Sequence, residues 1–230
     1  MRLDMTHSLP AAIIFDIDDT LVDTTLSYRG AIIATAAHFG LRVTLDDIAR
    51  IKAAGDANND WVVTQTFLSR AGIRVSLDDV TARFEEFYQG TPERPGLRMQ
   101  EALLIDPDDL SWFAQRYRLG IVTGRPRKDA LVFLERFRIA HLFGAVVTMD
   151  DGPLKPSPFP VQSAMAQLGA ASAWMVGDTP DDIRSAVAAG ASGVGVIAPS
   201  DDPSTARRAL QEAGAGLVLA TVRELRGVLE

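Results

Sequence analysis

The sequence has no cysteine, no long apolar run and no excess of positive charge, and each absence excludes a class of site or partner. Without cysteine the chain forms neither disulfides nor thiolate metal sites, which favours a cytoplasmic location. No apolar run approaches the ~20 residues of a membrane-spanning helix, and the opening residues, MRLDMTHSLP, lack the apolar segment of a signal peptide. The formal net charge of −7 argues against nucleic-acid and anionic-membrane partners, because these require a basic surface.

The composition that remains is typical of a globular protein. Of the 230 residues, 47% are hydrophobic and 23% are charged, which provides enough apolar side chains for a full core. A chain of this length forms one domain, or one domain with an insert. Because the net charge is negative, a phosphate-bearing ligand would need positive charge placed locally.

The segment from about residue 25 to residue 89 reads as four successive helices with no strand between them. Residues typical of helix starts precede three of the helices, and Asp47 and Asp79 occupy the third helical position of two of them. The three helix starts are Thr44, Asn59 and Ser76. The four helices end at Gly40, Gly55, Gly72 and Gly90. Residues 90–97, GTPERPGL, read as a linker, because their prolines and glycines interrupt a helix.

The rest of the chain alternates strand and helix. After a first strand that ends at Phe15, further strands are predicted at 119–123, 145–148, 173–177, 194–197 and 217–219, with helices between them. This alternation indicates a parallel sheet covered by helices on both faces. We therefore predict an α/β core of residues 1–23 and 96–230, interrupted by a helical insert of residues 24–95.

Polar clusters of residues lie at the ends of four predicted strands. They are Asp16, Asp18 and Asp19; Thr123, Gly124 and Arg125; Asp150, Asp151 and, further on, Lys155; and Asp178, Asp181 and Asp182. Ligands of open parallel sheets bind outside the carboxyl ends of the strands, so these groups are expected to form one site. Carboxylates this close repel one another, and burial strengthens the repulsion, so a cation is expected among them.

Four segments, FDIDDTLVDT, IVTGR, LKPSP and VGDTPDD, resemble in this order the four motifs of the haloacid dehalogenase superfamily. The helical insert resembles the small cap of its subfamily I, which includes phosphoglycolate phosphatases and β-phosphoglucomutases. The resemblance covers essentially the whole chain. It implies a Rossmann-like parallel-sheet core with an inserted small α-helical cap domain.

The resemblance also implies roles for the strand-end residues. Asp16 is the nucleophile that forms an aspartyl-phosphate, and Asp18 is the general acid and base. Mg²⁺ is bound by Asp16, the backbone carbonyl of Asp18 and Asp178, with Asp182 in support. Apart from the resemblance, an Asp pair after a strand could simply cap a turn, and Asp181 and Asp182 also make a good helix start.

Phosphate binding is expected from Thr123, Gly124 and Lys155, which offer a hydroxyl, accessible backbone N–H groups and a positive charge. Arg125 could take part in phosphate binding or could form only a local salt bridge. The resemblance implies that the insert selects the leaving group, for which the predicted contacts are Arg29, Lys52 and Asn59. The loop that contains the last two, KAAGDANNDW, also offers Asp56, Asn58 and Asp60. Asn58 and Asn59 could equally be turn and capping residues, and Arg29 could face solvent.

Three positions bear on which activity the resemblance implies. Asp19 stands where many relatives have glycine, Tyr28 stands where β-phosphoglucomutases have histidine, and Asp18 argues against dehalogenation. The sequence thus predicts a Mg²⁺-dependent phosphatase that acts on a small phosphorylated metabolite through an aspartyl-phosphate. A phosphomutase and a non-catalytic phospho-ligand binding protein are the alternatives. The substrate, and whether the protein is a monomer or a homodimer, stay open.

Overall fold

The computed structural model describes residues 9–55 and 57–230, and all structural statements below concern these residues. In chain order the strands are β1 (Ala12–Phe15), β2 (Val22–Asp23), β3 (Gly90–Thr91), β4 (Arg94–Pro95), β5 (Ala102–Leu103), β6 (Arg118–Val122), β7 (Ala145–Val147), β8 (Ala173–Gly177), β9 (Ser192–Val196) and β10 (Leu217–Leu219). The α-helices are α1 (Tyr28–His38), α2 (Leu45–Ala54), α3 (Asp60–Arg70), α4 (Leu77–Gln89), α5 (Pro107–Ala114), α6 (Arg127–Arg136), α7 (Phe159–Leu168), α8 (Pro180–Ala188), α9 (Pro203–Glu212) and α10 (Leu225–Leu229). Short 3₁₀ helices cover Leu97–Gln100, Ala140–Leu142 and Val222–Glu224.

Six strands form the predicted parallel sheet, in the order β10-β9-β8-β1-β6-β7. Strand β1 is fully buried, and its side chains alternate between the two faces of the sheet. Ile13 and Phe15 belong to one apolar cluster, and Ala12 and Ile14 to another. Burial of each large apolar side chain contributes about 1.5–3 kcal/mol. The predicted α/β core is confirmed.

The order of the strands determines which of the candidate site residues are neighbours. Strand β1 lies between β8 and β6, so residues 16, 178 and 123, which follow these strands, are neighbours at one edge of the sheet. The backbone N–H of Asp16 continues the ladder by donating to the carbonyl of Val176 at 2.9 Å. The strand ends are therefore fixed by backbone hydrogen bonds in the sheet itself.

The helices α1–α4 pack around an apolar cluster of their own that includes Ile32, Ile48, Val63 and Phe84. The predicted helix starts are present. Thr44 and Asp47 form a reciprocal capping box, Asn59 accepts hydrogen bonds from the N–H groups of residues 61 and 62, and Ser76 accepts one from residue 79. These helices make up most of the proposed insert, residues 24–95, whose exact boundaries stay a prediction.

Two short ribbons differ from the predicted pattern. The expected linker of residues 90–97 contains a two-stranded antiparallel pair, β3 with β4. A second pair joins β2, just before the insert, to β5, just after it. Each strand has only two residues, which is too few to produce an alternating pattern. In addition, β2 and its partner β5 are far apart in the sequence. No helix among the described residues is both long and apolar enough to cross a membrane.

Candidate active site

Residues from all four predicted strand-end groups meet in one cleft between the core and the helical insert, but Asp150 and Asp151 do not join them, because they bond to Arg127 at the start of α6. From the core, the cleft is lined by Asp16, Asp18, Gly124, Lys155, Asp178 and Thr179, and from the insert by Tyr28, Lys52, Ala57, Asn58 and Asp60. Its free volume is about 30 Å³. A cavity needs about 10–15 Å³ to hold one water molecule, so in this arrangement the cleft admits only very small groups.

Lys155 is the buried cation at the centre of the cleft. Its Nζ atom lies 3.0 Å from Asp16 Oδ1 and 2.5 Å from Asp182 Oδ1. The side chain comes from the proline-rich loop after β7, which presents it toward β1. Burial raises the pKa of Asp16 to about 7, while Lys155 acts in the opposite direction. The lysine thus offsets part of the cost of burying the carboxylate.

Three buried carboxyl groups lie close together at this end of the sheet, in an arrangement suited to a divalent cation. Oxygens of Asp16, Asp178 and Asp182 lie within 4.8 Å of one another. Burial raises the pKa of Asp178 well above its usual range, and the neighbouring Asp19, Asp182 and Asp16 raise it further. Hard oxygen donors at such a site are what Mg²⁺ prefers. A cation would lower the cost of ionising these groups.

The hydrogen bonds distinguish Asp16 and Asp178 from Asp182. Both oxygens of Asp182 are engaged, one by Lys155 and the other by the N–H and hydroxyl of Thr179 at 2.9 and 2.6 Å. In contrast, Asp16 Oδ1 is buried without a properly aligned hydrogen bond from any described residue. Asp178 accepts one long bond, 3.4 Å, from Thr20. Asp16 and Asp178 are therefore the side chains that fit a metal ion, and Asp182 holds Lys155 and the start of α8.

Asp18 is held by Arg125, a strand-end residue whose partner the sequence did not identify. The fully buried guanidinium donates from Nε and Nη2 to Asp18 Oδ1 at 2.9 and 2.6 Å. It also donates to Glu101 at 2.8 Å and to Tyr88 Oη at 3.1 Å, and lies over the ring of Tyr28. The bonded Asp18 lies 107 residues away in the sequence, so this contact is not the local salt bridge that was the alternative for Arg125. The one available signal was the place of Arg125 directly after Thr123-Gly124.

Thr123 and Gly124 both follow β6, but Thr123 is buried and Gly124 lines the cleft. Thr123 is buried, and its hydroxyl accepts a hydrogen bond from the N–H of Arg125 at 3.1 Å. Gly124 lines the cleft, where a Cβ atom would come within 2.3 Å of the backbone oxygen of Asn58. A side chain at position 124 would therefore push the insert away from the core.

Asn58 connects the insert to the core. Its Nδ2 donates to the carbonyl of Lys155 at 2.8 Å and to Asp181 Oδ2 at 2.6 Å. Among the predicted insert residues, Lys52 lines the cleft and forms an ion pair of 3.3 Å with Asp60. Burial raises the pKa of Asp60, although Lys52 opposes the change.

Two of the three residues predicted to contact the leaving group lie outside the cleft. Arg29 is buried in ion pairs of 2.6 Å with Asp19 and 2.8 Å with Asp201, and it does not contribute to the cleft described above. Asn59 caps α3, which leaves its neighbour Asn58 to face the core. Asp56 lies outside the described residues.

Comparison with known proteins agrees with this arrangement. The model of the haloacid dehalogenase-like hydrolase family matches residues 13–196. The phosphoglycolate phosphatase of Rhodospirillum rubrum is 32% identical over 191 residues, which cover 79% of this chain and 77% of that protein. The imidazoleglycerol-phosphate dehydratase of Phytophthora nicotianae is 41% identical over 224 residues, or 90% of this chain, but the chain spans only 50% of that protein.

Solved structures share the fold. A haloacid dehalogenase-like protein of unknown function from Agrobacterium tumefaciens superposes with a TM-score of 0.76 at 21% identity. The superposition covers 96% of this chain and 98% of the other. At this identity the likeness extends to the architecture, including the helices inserted after the first strand.

Proposed function

This chain belongs to the haloacid dehalogenase-like hydrolase family, and from that membership we propose that it is a Mg²⁺-dependent phosphatase of small phosphomonoesters. The observation that carries the proposal is the meeting of Asp16, Lys155 and Asp178 in one cleft, since these supply a nucleophile, a cation and a metal ligand. The relative from R. rubrum, named a phosphoglycolate phosphatase, supports the same class of reaction.

In the proposed first step, a carboxylate oxygen of Asp16 attacks phosphorus and forms an acyl-phosphate, while the bond from phosphorus to the leaving oxygen breaks. Asp18 gives a proton to that oxygen, so the leaving group departs as an alcohol. Arg125 fixes Asp18 through Oδ1 alone, and no described residue donates to Oδ2. The free oxygen is thus available for proton transfer.

In the second step, Asp18 takes a proton from a water molecule, and the water oxygen attacks the phosphorus of the acyl-phosphate. The bond from phosphorus to Asp16 breaks, which releases inorganic phosphate and restores the carboxylate. Lys155 and the backbone at Gly124 stabilise the negative charge of the phosphoryl oxygens. Asp16, Asp178 and the backbone carbonyl of Asp18 would hold Mg²⁺, which supplies further charge neutralisation.

The substrate is proposed to be small, because the cleft has only about 30 Å³ free and the insert closes over it through Asn58. Lys52, whose Nζ pairs with Asp60 at 3.3 Å, is the insert cation available to the leaving group. Arg29 and Asn59 have no such role in this proposal.

A panel of phosphorylated metabolites, assayed with Mg²⁺ for released inorganic phosphate, tests the proposed activity. We expect phosphate release from one or a few small members of the panel. A phosphomutase would instead return the phosphoryl group to a sugar, so isomerised sugar phosphate without net phosphate release would contradict the proposal. A chain that binds phosphate compounds and turns over none of them would also contradict it.

Magnesium is expected to stabilise the protein more at pH 8 than at pH 5. The pKa values of Asp16, about 7, and of Asp178 are raised in the folded state, so ionising them destabilises the metal-free fold as pH rises from about 4 through 7. Mg²⁺ binds the ionised groups and offsets that loss. At saturating Mg²⁺ we expect melting to rise by about 5 °C or more at pH 8 and by less than half of that at pH 5.

Asp178→Asn should remove most of this magnesium-dependent shift at pH 8. Asp46→Asn, which changes an exposed aspartate on α2, serves as the matched control and should retain it. Equal shifts in the Asp178 variant and in the wild type would remove Asp178 from the proposed metal site.

A further inference from the structure

A second cavity lies on the other side of Arg125 from the cleft. Its volume is about 240 Å³, compared with about 30 Å³ for the cleft. It is bounded by the segment that returns from the insert to the core and by helix α6. The residues that matter here are Arg98, Glu101, Arg125, Val132, Phe133 and Arg136. An apolar cavity of about 150 Å³ already holds benzene, so this one has room for a ring-sized ligand.

Two of the three arginines that line the cavity have no carboxylate partner among the described residues. Arg125 is paired with Asp18 and Glu101, but neither Arg98 nor Arg136 forms an ion pair with any described carboxylate. Arg136 instead donates to the backbone carbonyls of Arg98 and, at 2.8 Å, of Met99. The Nε atom of Arg98 is buried and has no hydrogen-bond partner among the described residues. A buried donor that lacks a partner destabilises the protein, and an anion bound beside it would remove that penalty.

The cavity wall also contains a buried aspartate, Asp129, whose two oxygens accept hydrogen bonds from Gln89 at 2.8 Å and Tyr28 at 3.4 Å, and several apolar side chains. Val132 and the buried ring of Phe133 come from α6, and Met99 comes from the 3₁₀ helix. The pattern of guanidinium groups beside apolar side chains matches a ligand with a planar anionic head and an apolar body. We propose that this cavity is a binding site for a small organic carboxylate with an apolar ring or branched body, whose carboxylate pairs with Arg98.

This site is distinct from the catalytic cleft. Arg125 and the tilted rings of Tyr28 and Tyr88, with centroids 4.2 Å apart, lie between the two. Tyr28 lines only the cleft, and Tyr88 lines only the second cavity. A carboxylate bound beside Arg98 would therefore be separated from Asp16 and would not occupy the position of a phosphoryl group.

Titration calorimetry with benzoate as the probe tests the proposal without reference to activity. We expect Arg98→Gln to weaken benzoate binding by about tenfold or more, since it removes a charge-assisted hydrogen bond to the carboxylate. Arg74→Gln, which removes the same charge from an exposed position, should leave binding within about twofold of the wild type, because surface charges at a distance are screened. Equal losses in both variants would overturn the proposal.

Three further measurements test whether benzoate binds in this cavity. Val132→Trp fills the cavity without changing its charge and should abolish benzoate binding, with cooperative melting as the check on folding. Benzyl alcohol, which has the same ring without the carboxylate, should bind much more weakly than benzoate. Asp16→Asn should bind benzoate as the wild type does. No benzoate binding at millimolar concentration, benzyl alcohol binding as tight as benzoate, retained binding in a folded Val132→Trp, or loss of binding in Asp16→Asn would each refute the site.

Discussion

Asp16→Asn is expected to abolish phosphate release while the protein stays folded. The amide nitrogen of asparagine carries no lone pair available for attack on phosphorus, so the acyl-phosphate cannot form. Loss of a nucleophile costs at least about 10⁴-fold in kcat in enzymes that work through covalent intermediates. The measurement is the steady-state hydrolysis of p-nitrophenyl phosphate in saturating Mg²⁺.

The fold should tolerate this change because the carboxylate is costly where it lies. Burial raises its pKa to about 7, so a neutral group of nearly the same shape removes an unfavourable charge. The melting temperature without Mg²⁺ should be unchanged or higher at pH 8. Asp46→Asn is the control for loss of a negative charge and should hydrolyse at the wild-type rate. Hydrolysis by Asp16→Asn at the wild-type rate would defeat the mechanism.

Lys155→Met should lose both stability and activity. The ammonium group contacts Asp16 at 3.0 Å and Asp182 at 2.5 Å, all three groups are buried, and methionine leaves the two carboxylates uncompensated. Removing one partner of a buried ion pair costs about 3–5 kcal/mol, which for a chain of this size lowers the melting temperature by about 6–20 °C. Turnover should fall by about 10²-fold or more, because a charge that stabilises the phosphoryl oxygens is gone.

The pH dependence gives the prediction for Lys155 a second readout. Without the lysine, the pKa of Asp16 rises further, so the destabilisation grows as pH rises and shrinks in acid, where the carboxyl group is protonated. Lys128→Met, which removes an exposed cation on α6, should change neither melting nor turnover. If Lys155→Met melts and turns over like this control, Lys155 is not the buried counterion of the site.

The sequence predicted the parallel core and most helix starts because both depend on local rules. Thr44, Asn59 and Ser76 accept hydrogen bonds from backbone N–H groups of the helices they begin, and such groups lie within three residues. The convergence of the strand ends follows from parallel topology alone, since every carboxyl end lies at the same edge. The ribbons β2–β5 and β3–β4 were missed, because two residues carry no periodic signal.

Side-chain partners across the insert could not be predicted in the same way. Arg29 lies on a helix that is buried on most of its surface, so its side chain contacts Asp19 and Asp201 rather than the cleft. In the loop before α3, the sequence did not distinguish Asn58 from Asn59. Asn58 bonds to the core, and Asn59 caps α3. The partners of Arg125 come from three distant segments, which only the folded chain brings together.

Chemical trapping of the enzyme during turnover tests the central claim, that Asp16 captures the phosphoryl group, most directly. Borohydride reduces an acyl-phosphate to the alcohol, so quenching with it and mapping the peptides by mass spectrometry identifies the carboxyl group that was phosphorylated. Capture of the phosphoryl group by Asp16 predicts homoserine in place of Asp16 in enzyme quenched with substrate, and an unchanged Asp16 in enzyme quenched without it. Reduction at another aspartate, or an intact Asp16 in enzyme quenched while it is releasing phosphate, would contradict it.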